Sequence, residues 1–99
     1  MPIPLFPRAT RWQLRLPIAY RRAMDPQWTL AKVQNISESG VLFGPTALTP
    51  GVPVEVMFST PVAIGSIASG KSVCVGSIVR TSEGGHVAAR FDECRFVLD

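Results

Sequence analysis

Between residues 14 and 21 apolar and other positions alternate: Leu14, Leu16, Ile18 and Tyr20 against Arg15, Pro17, Ala19 and Arg21. A period of two is the mark of a half-buried strand. Pro17 has no N–H to give to a ladder, so the strand is expected at an edge, or irregular there. Met24-Asp25-Pro26-Gln27 reads as a turn. A second strand is expected over 28–36, with less regular alternation. The polar link from Asn35 to Gly40 then leads into a short apolar strand, Val41-Leu42-Phe43. After the Thr49-Pro50-Gly51 turn, Val52, Val54, Val56 and Phe58 alternate with Pro53, Glu55, Met57 and Ser59. Residues 60–70, rich in Pro, Gly, Ser and Ala, read as a long loop. Val73, Val75, Ser77 and Val79 then alternate with Cys74, Gly76, Ile78 and Arg80. Ser82-Glu83-Gly84-Gly85 is a hairpin signal, because glycine accepts positive φ without a Cβ clash. Val87, Ala89 and Phe91 make the last clear strand, and Phe96, Val97 and Leu98 are placed to cap one mouth. Short strands separated by turns about every ten residues predict an all-β, six-stranded antiparallel β-barrel. No stretch carries a sustained helical period.

Composition narrows this picture. Ninety-nine residues make one domain, and 46% apolar with 17% charged residues describes a folded chain. The organisation expected is a flexible basic arm over 1–13 and a barrel over 14–99. The net charge of +3 is uneven. Residues 1–24 hold Arg8, Arg11, Arg15, Arg21 and Arg22 and no acid, which directs attention there for an anionic partner. Cys74 and Cys94 lack the spacing of a zinc site. The chain has neither the pattern of a signal peptide nor an apolar run long enough to span a bilayer. Two cysteines leave a disulfide open, but without a secretion pattern the expectation is a cytoplasmic protein whose thiols stay reduced.

Several short motifs occur in a fixed order: Arg11-Trp12-Gln13-Leu14-Arg15-Leu16-Pro17-Ile18-Ala19-Tyr20, then Asn35-Ile36-Ser37-Glu38-Ser39-Gly40, then Leu48-Thr49-Pro50-Gly51-Val52-Pro53-Val54-Glu55-Val56. Gly76 to Arg80 and Val87 to Phe91 complete the series. In this order and spacing, over nearly the whole chain, the sequence resembles the PilZ family. The resemblance implies a six-stranded barrel that acts as a bacterial second-messenger receptor and binds cyclic diguanylate (cyclic di-GMP). In that family an RxxxR segment and a [D/N]-x-S-x-x-G turn clasp the nucleotide from two sides. Binding reorders the arginine arm and alters how the domain meets a downstream protein partner.

The residue chemistry agrees with such a ligand. An arginine fork pairs with phosphate oxygens and with O6 and N7 of guanine, and its plane stacks on a base. The candidate contacts are Arg8, Arg11 and Arg15 on the leader and Asn35, Ser37 and Gly40 on the turn. Asn35 and Ser37, two apart in an extended stretch, project to one side. Both also suit bonds to their own turn. Gly40 is expected to hold a backbone conformation that a side chain would block.

The leader departs from the family pattern. Arg11 and Arg15 spell RxxxR, yet counting back from Leu16-Pro17 places Arg11 at the family's second arginine and Pro7 at its first. Arg8, one residue later, is the replacement; Arg15 would point outward from the strand. Trp12 beside Arg11 suits either stacking on a base or packing on the barrel wall.

The alternative reading is a degenerate PilZ-like domain that binds no nucleotide and acts as a protein-interaction adaptor. A nucleic-acid-binding barrel is disfavoured, because few of the eight aromatic residues fall on a basic face. His86, the single histidine, reads as a surface strand residue, and no catalytic constellation or metal-ligand set stands out, so no enzyme and no cofactor are expected.

Overall fold

The computed structural model describes residues 16–97. Arg8, Arg11 and Arg15, together with Pro7, Trp12 and Leu98, lie outside the described residues. Six strands follow in order: β1 (Pro17–Arg22), β2 (Thr29–Ser37), β3 (Gly40–Gly44), β4 (Pro53–Thr60), β5 (Gly70–Thr81) and β6 (Val87–Phe96). All neighbouring pairs are antiparallel, and the sheet closes as β1-β2-β3-β6-β5-β4. The six-stranded antiparallel barrel expected from the alternation is therefore the architecture. Among the described residues no helix is long and apolar enough to cross a membrane.

Closure leaves no free edge, so Pro17 is accommodated differently from the expectation. It is the first residue of β1, opposite Lys32, and the ladder is continued by Leu16, whose carbonyl accepts from the Val33 N–H at 2.9 Å. The turn at 23–26 is set by Asp25, whose N–H donates to the Arg22 carbonyl and whose carboxylate accepts from Gln27 N–H. At the β5–β6 hairpin Gly84 and Gly85 hold φ of 73° and 76° in a single 3-10 turn, as the Gly-Gly signal requires.

The interior is filled by the inward half of each strand. Ile18, Ile36, Phe43, Val54, Val56, Cys74, Ile78 and Val87 are all essentially solvent-free. Tyr20 and Phe43 pack with ring centroids 5.1 Å apart, and the Tyr20 hydroxyl bonds Thr46 Oγ1 at 2.9 Å, so its polar end is satisfied. The loop at 61–69 is less simple than its composition suggested. Ile64 and Ile67 bond each other's backbones and join the core, closing a mouth of the barrel. Phe96, expected to cap a mouth, is half exposed within β6.

The cysteines differ from expectation as well. The β5–β6 register sets Cys74 directly opposite Cys94, with Cα atoms 4.0 Å apart, and the two are joined as a disulfide. Their separation of 20 residues along the chain concealed a pairing that only the strand register reveals.

Replacing Phe43, which has no exposed surface, should be the costliest single truncation in the barrel. Phe43→Ala is expected to lower unfolding free energy by about 3–5 kcal/mol, measured as a shift of the urea midpoint at unchanged slope.

Candidate functional site

One local irregularity creates the site. Val33 is buried opposite Phe43, but the next pair in the ladder is Asn35 with Leu42, leaving Gln34 as the extra residue of a bulge. Without it Asn35 and Ser37 would fall on the same face as Val33. With it Ile36 takes the inward position, with no exposed surface, and Asn35 and Ser37 turn to the outer side of the sheet, Asn35 half-buried and Ser37 buried. This is also why the alternation of the second strand reads as irregular.

The register carries two rows from there across the outer face. Asn35 lies beside Leu42, then Ala88, then Arg80; Ser37 lies beside Gly40, then Arg90, then Ser77. Leu42 is buried yet stands outside the core cluster, so it floors the outer face instead of filling the interior. Asn35, Ser37, Ser39, Gly40, Arg80 and Arg90 thus surround one cavity of about 320 Å³. The three turn residues singled out from the sequence come together here. Arg80 and Arg90 did not come forward from the sequence, because they lie about 40 to 55 positions further along and only the closure of β3 against β6 brings them in. Arg90 stands 3.6 Å from Asp92, an exposed pair that leaves its charge largely available.

The turn itself is held on three sides. Ser37 Oγ accepts from the Ser39 N–H at 3.2 Å, and the two hydroxyls are 3.0 Å apart. The Ser39 carbonyl accepts from the Phe91 N–H at 2.9 Å, tying the turn to β6. Glu38 Oε2 accepts from the Ser66 N–H at 2.7 Å, tying it to the β4–β5 loop. Gly40 plays a different part from the one expected. It is not among the residues at positive φ; it is required because an added Cβ would overlap the Ala89 carbonyl oxygen across the ladder.

A second cavity of about 660 Å³ adjoins through Asn35 and is lined by Leu16, Pro17, Lys32, Val33, Gln34 and His86. Leu16, at this rim, is the first described residue, and the arginine segment precedes it in the sequence. Arg11 is five residues from Leu16, a span of up to about 17 Å when extended. His86 lies just before β6, its Nδ1 3.1 Å from the Glu83 carbonyl oxygen, with its ring edge against Gly44. Among the described residues no group of three or more His, Cys, Asp or Glu side chains is placed to hold a metal ion.

Glu38 reports on the integrity of the turn. The Ser66 backbone N–H, and then the Ser66 side chain, hold its carboxyl below the ordinary value of 4.5. A carboxyl lowered in the folded state contributes its tie fully above the unfolded value and loses it as pH falls through the folded one. The Ser66 amide resonance is therefore expected to titrate with a midpoint below 4.5, and Glu38→Gln should remove that titration. Deleting Gln34 tests the bulge. It should force Asn35 and Ser37 inward or Ile36 outward and cost about 3 kcal/mol or more in urea unfolding. In comparisons with known proteins, no protein-family model, no curated protein and no solved structure matches this chain.

Proposed function

We propose that the chain is a PilZ-type receptor for cyclic diguanylate. The nucleotide lies on the outer face of β2, β3, β6 and β5, and the leader arginines close over it. The carrying observation is the convergence of Asn35, Ser37, Gly40, Arg80 and Arg90 on one cavity, adjoining the rim at Leu16, which the leader precedes in the sequence. Asn35 both donates and accepts, which suits a guanine edge or a ribose hydroxyl. Ser39 offers an exposed hydroxyl, oriented by the buried Ser37 Oγ beside it. Arg80 lies across Leu42 and Ala88 from Asn35, and Arg90 across Gly40 from Ser37, so cationic groups stand opposite the turn to pair with a phosphodiester.

The energetics are sufficient. Each charge-assisted contact contributes about 1.5–3 kcal/mol, and micromolar binding needs roughly −8 kcal/mol. Two barrel arginines with Arg11 and Arg8 from the leader reach that without any single dominant contact. A turn already fixed by Ser37, Glu38 and Ser39 loses little freedom on binding, so less of the contact energy goes into ordering it. Closure of the leader then changes the surface that a downstream protein meets, through differential affinity for open and closed states. The protein's working place in this reading is the bacterial cytoplasm.

Pro7, standing where the family has its first arginine, favours a second reading, an adaptor that binds no nucleotide. Calorimetric titration separates the two. The receptor reading expects saturable heat with cyclic diguanylate, loss of binding in Arg11→Ala, and about tenfold weaker binding in each of Arg80→Ala and Arg90→Ala. Ser37→Ala should weaken binding while the fold survives. Dependence on Arg8 but not Arg15 would identify the displaced leader pair. No heat at high micromolar nucleotide leaves the adaptor reading.

A further inference from the structure

The opposite side of the barrel carries a pattern that the nucleotide site does not use. Across β2, β1, β4 and β5 the register aligns Leu30, Ala19, Met57 and Val73 in one row on the outer side of the sheet, Leu30 exposed, Ala19 and Met57 half-buried and Val73 buried at its end. All four are apolar, on a face whose inward neighbours already fill the core. Leu30 is 80% exposed, although a strand position so open is ordinarily polar. The rows on either side are charged, and with opposite bias. Below lie Lys32, Pro17, Ser59 and Lys71. Above lie Arg21, Glu55, Val75 and Glu93, with Arg21 bonded to Glu55 and stacked 4.4 Å over Trp28.

We propose that this face is a docking surface for a second copy of the same chain. The two-fold axis runs along the apolar row. Such an axis sets Leu30, Ala19 and Met57 against their own counterparts and exchanges the flanks. Lys71 of one copy then falls between Glu55 and Glu93 of the other, and the reverse pairing forms at the same time. Turning the axis by a right angle, parallel to the strands, would instead bring the two lysine flanks together, which like charges oppose. Lys71 also interacts within its own chain; the partner's carboxylates add to that interaction.

The row spans four strands, about 15 Å, which is well short of the roughly 800 Å² per partner of a standard interface. The pairing is accordingly weak and reversible. The barrel order places β1 and β4 opposite β3 and β6, so two copies joined here keep the cavity ringed by Asn35, Ser37, Arg80 and Arg90 open in each, and meet the neighbouring cavity only at its Pro17 and Lys32 edge. The surface and the nucleotide site therefore stand or fall separately.

Sedimentation equilibrium of the full chain from about 10 µM to about 1 mM, at low salt, tests this. The expected result is a concentration-dependent monomer–dimer equilibrium whose association constant falls at least tenfold in Leu30→Glu and in Met57→Glu, with unchanged thermal unfolding. Lys71→Glu and Glu93→Lys should each associate more weakly alone. Mixed one to one they should pair more tightly than either does by itself, because both cross-contacts are then restored. A chain that stays monomeric throughout, or a dimer indifferent to Leu30 and Met57, would overturn the surface. A mixture no tighter than its components would overturn the axis.

Discussion

The single residue Gln34 decides which side chains this barrel shows to solvent. A strand repeats every two residues, so an uninterrupted β2 would place Asn35 and Ser37 in the interior with Val33. The bulge shifts the frame by one. Ile36 then fills the core, and Asn35 and Ser37 turn to the outer side of the sheet, half-buried and buried respectively, where β3 and β6 pass beside them. The row that Asn35 shares with Arg80, and its place at the cavity, follow from that shift, while the close approach of Gly40 to Ala89 comes from the β3–β6 register.

The barrel separates two surfaces of different character. On the β3–β6 side, polar and cationic groups ring an apolar floor, a combination suited to a flat, charged ligand. On the β1–β4 side the same period-two geometry produces an apolar row bordered by charge. One short chain can carry both because closure of the sheet removes its edges, so the outer faces are free to differ in chemistry. The turn at Ser37–Gly40 adds a further link. Through Glu38 it is fastened to the loop that also plugs the core with Ile64 and Ile67. The site's shape and the barrel's closure thus share contacts.

Much of the fold was legible because alternation and turn chemistry are local. Ile18 and Tyr20, Val54 to Phe58, and the Gly84-Gly85 hairpin announce their strands and turn directly. The Asn35-to-Gly40 link was likewise readable as the turn between two strands. What was not legible depended on pairing between distant strands. The apposition of Cys74 and Cys94, the approach of Arg80 and Arg90 to the turn, and the role of Gly40 all arise from register across β5, β6 and β3. The plugging by Ile64 and Ile67 was masked by a composition typical of open loops.

The central claim is that the outer face created by the Gln34 bulge receives a cyclic dinucleotide. Amide chemical-shift mapping of the isotopically labelled chain during titration with cyclic diguanylate tests it most directly. The account predicts saturable shifts centred on Asn35, Ser37, Gly40, Arg80 and Arg90, together with the leader, while Ala19, Leu30 and Met57 stay still. Shifts confined to the β1–β4 side, or none at millimolar nucleotide, would contradict it.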